Sequence, residues 1–203
     1  MNNEIIKEYE DYMGKIGNRK SLYKAVTKAY TIKSAIYPGS HIDITPSLVI
    51  PKVTYIDNFK GAIKFFQSLE TIEVYIKENK DYSEAHEIRF LGEDYQSLLD
   101  IDQVDLIISQ YAGFVGQATK AYLKIGGILL CNDSHGDATL AKFDEDYEFI
   151  GIVNSKNQIQ NNDLEDYFKL PKDKPIDLNF VRQKMKGLKY KSTAQNYLFR
   201  KTK

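Results

Sequence analysis

Through the first thirty positions apolar residues recur at helical spacing; after that the rhythm changes. Ile5, Ile6, Tyr9, Tyr12, Met13 and Ile16 fall at three- and four-residue intervals, which predicts a helix with one apolar stripe. Gly14 and Gly17-Asn18 interrupt it. A second helix is predicted from Ser21, with Leu22, Tyr23, Val26 and Tyr30 on one side and lysines on the other. Residues 1–32 therefore read as an N-terminal helical extension packed on the domain at 33–203. Acidic residues mixed among its lysines disfavour a helix lying on an anionic membrane.

From Lys33 onward, short apolar runs alternate with helical segments. Strands are predicted at 34–37, 53–57, 86–91, 105–109, 128–132, 147–154 and 196–201, and helices at 46–50, 58–77, 116–123, 136–142, 161–168 and 178–186. The near-continuous apolar run Leu106-Ile107-Ile108 is the pattern of a parallel strand buried on both faces. Alternation through 34–142 implies βαβ units. The expected architecture is α/β: a doubly wound, mostly parallel seven-stranded sheet with helices on both faces. Its last strand, close to the C-terminus, is expected to enter antiparallel.

Composition narrows the partners. At 203 residues the chain can bury one sizeable core. Lys+Arg and Asp+Glu both total 28, a balance that argues against a dedicated nucleic-acid binder. Arg182, Lys184, Lys186, Lys189, Lys191, Arg200, Lys201 and Lys203 do gather at the C-terminus around Tyr190 and Tyr197. Such a stretch can track a phosphate backbone, but a solvated basic face is the favoured reading. Cys131 is the single cysteine, so no intramolecular disulfide or multi-cysteine zinc site can form; its apolar surroundings suggest an inert buried thiol. No apolar run approaches the ~20 residues that span a bilayer, and Met1–Glu10 lacks the apolar core of a secretory signal. No membrane partner and a cytoplasmic location are expected.

In open α/β sheets, ligands bind outside the carboxyl ends of the strands. Five such ends are polar here: Tyr37-Pro38-Gly39-Ser40, Asp57-Asn58, Glu93-Asp94-Tyr95, Ser109-Gln110-Tyr111 and Asn132-Asp133-Ser134-His135. Pro38-Gly39 is a turn signal, and Thr45-Pro46 reads as an N-cap followed by proline at the first helical position. Asp57 stands 18 residues after Gly39, at the end of the adjacent strand. A carboxylate there either accepts the hydroxyls of a ribose or caps the following helix.

The order of elements and the placement of these residues resemble the class I S-adenosylmethionine-dependent methyltransferases over roughly residues 33–201. In that family a glycine-containing turn after the first strand passes the methionine part of the cofactor. Here Gly39 matches the loop glycine, flanked by Tyr37, Pro38 and Ser40. Asp57, with Asn58, matches the ribose carboxylate, and Asp94 or Glu93 matches the contact to the adenine amine. Gln110 and Tyr111 stand where the family places residues near the transferred methyl group. Two departures are plain. Gly39 is alone in a loop that usually holds several glycines, and Ser109-Gln110-Tyr111-Ala112 replaces the Asn/Asp-Pro-Pro-Tyr signature of amino-group methylation.

What the resemblance implies is an S-adenosylmethionine-dependent methyltransferase with an unidentified substrate. The alternative is a non-catalytic descendant of the fold that serves as a binding or interaction module. Methyl transfer asks the protein for alignment and, with some substrates, for a proton acceptor. Asp133, His135 and Asp43 are the candidates, with Tyr111 as a positioning hydroxyl. His135 beside two aspartates, with no second histidine or cysteine close by, falls short of a metal set. Ser134, His135 and Asp137 are too close in sequence to face one another as a triad. His41 and His86 have no neighbours in sequence that set them apart.

Overall fold

The computed structural model describes residues 2–172 and 174–203, the first two of these by backbone alone. The chain divides into two compact units, Met1–Leu98 and Leu99–Lys203. The first carries helices α1 (Asn2–Ile16) and α2 (Lys20–Ala29), then strand β1 (Ser34–Pro38), a 3-10 turn (Thr45–Leu48), β2 (Lys52–Ile56), α3 (Lys60–Phe66), α4 (Leu69–Asn79) and β3 (Glu87–Leu91). Its strands run parallel in the order β3-β2-β1. The consecutively buried residues of β1 and β2, with Tyr23 and Val26 of α2 and Phe65, Ile72 and Ile76 of α3 and α4, make its buried core.

Two local expectations change here. The helix expected over 58–77 breaks at Gln67-Ser68, where the Ser68 N–H turns back to Phe65 O in a tighter bond, leaving α3 and α4. Thr45 is not an N-cap. It is the first residue of the 3-10 turn, and its hydroxyl pairs with the Tyr9 hydroxyl (2.9 Å) and lies 3.0 Å from Met13 Sδ, so it serves α1 instead.

Beneath the loop after β1 lies a closed polar network. Asp43 is fully buried. Its Oδ2 accepts from the Tyr23 and Tyr37 hydroxyls (3.3 Å each) and from Arg19 (3.4 Å), and its Oδ1 accepts the Thr45 N–H (3.0 Å). Arg19 also donates to the Tyr37 hydroxyl (3.0 Å). Burial pushes the Asp43 carboxyl above its ordinary pKa, and the Thr45 and Arg19 contacts pull against that rise. Enclosed and fully engaged, Asp43 cannot serve as the proton acceptor that its sequence position suggested. The network instead fastens α2 to the loop.

The second unit contains β4 (Val104–Ser109), α5 (Val115–Ala118), β5 (Leu123–Cys131), α6 (Asp137–Lys142), β6 (Tyr147–Val153), β7 (Ile159–Gln160), α7 (Leu178–Lys184) and β8 (Asn196–Lys201). Strand order is β4-β5-β8-β6-β7, with β4 and β5 parallel and β8 antiparallel to both its neighbours. The α/β class and the antiparallel final strand are as expected. The described residues hold eight strands, not seven, because Asn154–Gln158 turns the chain back into the two-residue β7. β5 starts earlier than expected: Gly126-Gly127 lies in a bulge within it and does not end a helix. The helix expected at 161–168 is absent. Asp163 adopts a left-handed backbone (φ 54°), and the Asp166 and Lys169 carbonyls accept from Ser192 and Lys191. Cys131 is fully buried, as its sequence setting suggested, and burial pushes its thiol pKa well up.

No helix among the described residues is long and apolar enough to cross a membrane. Tyr190 and Tyr197, interleaved with the C-terminal basic residues, are buried, while Lys201 gives its ammonium to the Lys120 and Leu123 carbonyls.

Two substitutions test this packing. Gly187 abuts Asp133 so closely that a methyl group would strike both its carbonyl and its carboxylate. Gly187→Ala is therefore expected to lower stability by about 2 kcal/mol in urea unfolding. Asp43→Ala removes the buried carboxylate that gathers Arg19, Tyr23 and Tyr37, with an expected loss of about 3–5 kcal/mol. A loss below about 1 kcal/mol in that titration would contradict the network's role.

Candidate functional site

The carboxyl ends of the first unit's strands are stitched side by side. The Gly39 N–H donates to Ile56 O (2.8 Å), and the Asp57 N–H donates to Leu91 O (3.1 Å). Backbone direction then reverses twice within three residues, at Gly39 (φ 65°) and at His41 (φ 50°). Glycine adopts that conformation freely, whereas for histidine it costs about 1 kcal/mol. The cost is offset at once. The His41 N–H donates to Asp57 Oδ2 at 2.7 Å, and a bond to a charged acceptor is worth about 1.5–3 kcal/mol.

The other Asp57 oxygen, Oδ1, accepts the Phe59 N–H (2.8 Å), just ahead of α3. So the carboxylate fixes the helix entrance and the loop together. Each oxygen still has lone-pair capacity beyond its one backbone bond, so the second possibility, contact with a vicinal diol, stays open to it. Phe59 is 55% exposed. The His41 ring stacks on it (centroids 5.4 Å, 24° between planes) and also meets Tyr12 of α1 (4.8 Å, 36°). His41 Nδ1 is buried there without a hydrogen-bond partner.

Of the other expected cofactor residues, Tyr37, Pro38 and Ser40 are buried, Gly39 is half-buried, and Asn58, Glu93 and Asp94 are exposed. Asp94 Oδ1 accepts the Gln96 N–H (2.9 Å). Backbone bonds thus set the ends of β1, β2 and β3 side by side, and Asp57 reaches the loop after Gly39 through His41, while the Tyr37 side chain points into the buried network. His41, Tyr12 and Phe59 were missed by sequence reasoning. The one available signal was the loop itself, where Gly39 stands alone and the resembled family usually has several glycines.

In the second unit, the Asn132 N–H donates to Ser109 O (3.3 Å), which brings the ends of β4 and β5 together. Gln110 donates its amide to Asn196 Oδ1 (2.8 Å). Tyr111 is 57% exposed and adopts a left-handed backbone (φ 60°). Asn132 Oδ1 accepts from the Ser134 N–H and hydroxyl (3.1 and 2.6 Å). Because that hydroxyl proton is committed, Ser134 Oγ (3.0 Å away) accepts from His135 Nδ1, leaving Nε2 as the basic ring nitrogen.

Asp133 accepts both the N–H and the hydroxyl of Thr139 (2.7 and 2.8 Å), and that hydroxyl also meets Tyr190 (2.8 Å). Burial raises the Asp133 pKa to about 6, against the pull of the Thr139 bonds. Asp137, also raised by burial to about 6, turns away from His135. It accepts from the Ser109 hydroxyl (2.6 Å) and the Gly116 N–H (2.9 Å). The Ser134-His135-Asp137 trio therefore does not form a triad. Among the described residues, no group of three histidine, cysteine, aspartate or glutamate side chains is placed to hold a metal.

A carboxyl whose pKa rises from 3.8 to about 6 on folding binds more protons in the folded state within that window. Its contribution is complete below pH 3.8 and is lost as pH rises through about 6. Asp133→Asn removes this term and leaves the similar one at Asp137. The fall in unfolding free energy between pH 4 and 7 is expected to shrink by about 1–2 kcal/mol in the variant. An unchanged pH profile in urea titrations would contradict the assignment.

No protein-family model and no curated protein sequence matches the chain. Solved structures match its fold. TehB from Haemophilus influenzae aligns with a TM-score of 0.53 over 96% of this chain and 67% of its own, at 15% identity. A methyltransferase from Geobacter sulfurreducens aligns with a TM-score of 0.50 over 78% of this chain and 85% of its own, at 9% identity. The N-methyltransferase NodS from Bradyrhizobium japonicum WM9, solved in complex with S-adenosyl-L-homocysteine, aligns with a TM-score of 0.40 at 18% identity. That alignment covers 60% of this chain and 59% of NodS, so the chain spans less than two thirds of NodS there. At such identities the likeness is one of fold, and the fold is class I methyltransferase-like.

Proposed function

We propose that the protein is an S-adenosylmethionine-dependent methyltransferase. The observation that carries this reading is the Asp57 carboxylate, held at the end of β2 by the His41 and Phe59 N–H groups and facing the turn at Gly39. The residues present fit the cofactor. A ribose diol needs a fixed carboxylate with spare lone pairs, which Asp57 supplies. An adenine ring needs an aromatic surface, which Phe59 supplies, and its exocyclic amine needs an exposed acceptor such as Asp94 or Glu93. Pro38, Gly39 and Ser40 would border the methionine part, and Asn58 the ribose.

When bound, the sulfonium supplies an activated methyl group with its own leaving group. The chain's remaining task is to orient the acceptor and receive a proton. In this reading Gln110 and Tyr111 position, His135 Nε2 accepts the proton, and Asp133, poised near pH 6, is the second acceptor.

One observation favours the alternative of a non-catalytic binding module: His41 lies in the loop where the family usually holds several glycines, and its ring stacks on part of Phe59. Titration calorimetry separates the two. The expected result is micromolar binding of S-adenosylmethionine and S-adenosylhomocysteine that weakens at least about tenfold in Asp57→Ala, equivalent to about 1.4 kcal/mol. Folded protein giving no heat with either ligand at millimolar concentration would overturn the proposal. Competition by ATP or NAD at similar affinity would assign the site to adenine nucleotides in general.

A further inference from the structure

Three features converge on His41, and none of them favours the position it occupies. Its backbone is left-handed, as a β-carbon resists. Its Nδ1 is buried without a partner, which leaves a desolvated nitrogen uncompensated. Its ring stacks, offset, on part of Phe59, which stays 55% exposed with the imidazole in place. Against these costs stand two ring contacts, to Phe59 and Tyr12. Gly61 lies against one edge of Phe59, so closely that a methyl group there would meet the ring.

We infer that His41 is a built-in plug: its imidazole occupies the stacking seat of a planar heteroaromatic base, and a ligand enters by displacing it. The inference rests on the reading above that Asp57 and Phe59 hold an adenosine group, and it adds a competitor from the chain itself. The loop is constructed for such an exchange. Asp57 grips His41 through the backbone N–H, so rotation about the side-chain bonds moves the ring without releasing the loop. Beside the ring lies a cavity of about 370 Å³, bordered by Glu8, Asp11, Tyr12, Lys15 and Ile42, into which it can swing. Once out, Nδ1 regains water, and the part of Phe59 that the imidazole shields is added to its exposed surface for a base whose ribose reaches the same carboxylate. Apparent affinity then equals the intrinsic affinity reduced by the fraction of molecules with the plug open.

Two substitutions remove the ring and tolerate the left-handed backbone, His41→Gly and His41→Asn. Both are expected to bind S-adenosylhomocysteine at least about fivefold more tightly than the wild type in calorimetry, with a similar gain for adenosine alone. A second readout is independent of affinity. In proton NMR the His41 ring signals, one set among three histidines, should start shifted by the ring currents of Tyr12 and Phe59 and move to ordinary positions on saturation. Equal affinities in wild type and both variants, or His41 signals that stay fixed when the site is filled, would overturn the plug and leave the methyltransferase reading standing. Absence of binding in the wild type and in both folded variants would overturn both.

Discussion

One carboxylate sets the geometry on which the first unit's candidate site depends. Asp57 takes one N–H from the loop after β1 and one from the entrance to α3, so two segments distant in sequence share a single anionic anchor. A backbone twist that histidine resists is tolerable because its amide gains a charged partner. The loop has a second carboxylate anchor below it, where Asp43 joins α2 to the same stretch of chain. Between the two, Gly39 to Thr45 has little freedom to rearrange. Side-chain rotation is the motion left to it.

The two units put carboxylates to different use. In the first, Asp57 is half-buried and faces its segment's surface with backbone bonds already made. In the second, Asp133 and Asp137 are drawn inward, and burial brings both near the physiological range. Carboxylates tuned by burial are the kind that take and return protons. Asp137 is a reminder that the same shift arises from structural work, since its partners are a strand-end serine and a helix amide.

Much of the fold was legible in the chain because its signals are local. The apolar run at 106–108, the turn at Pro38-Gly39 and the stripe of α1 each depend on neighbours in sequence. Asp57 was legible for the same reason, being a charge at the end of an apolar run. The features that escaped are set by distant partners. Nothing near residues 161–169 announces that Ser192 and Lys191 will claim the Asp166 and Lys169 carbonyls. Thr45 looks like a helix cap until Tyr9, far upstream, takes its hydroxyl. His41 resembled an ordinary surface histidine, because Tyr12 and Phe59 reach it only through the fold. The bulge at Gly126-Gly127 was misread for a related reason: paired glycines mark a departure from regular backbone without saying whether a helix ends or a strand buckles.

The burial of Cys131 has a practical side. It sits in β5 between two registered neighbours, Ser109 of β4 and Tyr197 of β8, with no solvent exposure. A thiol so placed, with ionisation suppressed, is reached by an alkylating reagent only when the strand opens. As the chain's single sulfhydryl, it is an intrinsic clock: the rate of its modification in native buffer reports how often the centre of the second unit comes apart. It also leaves the folded surface blank to maleimide chemistry, so a cysteine introduced anywhere outside would carry a spectroscopic label alone.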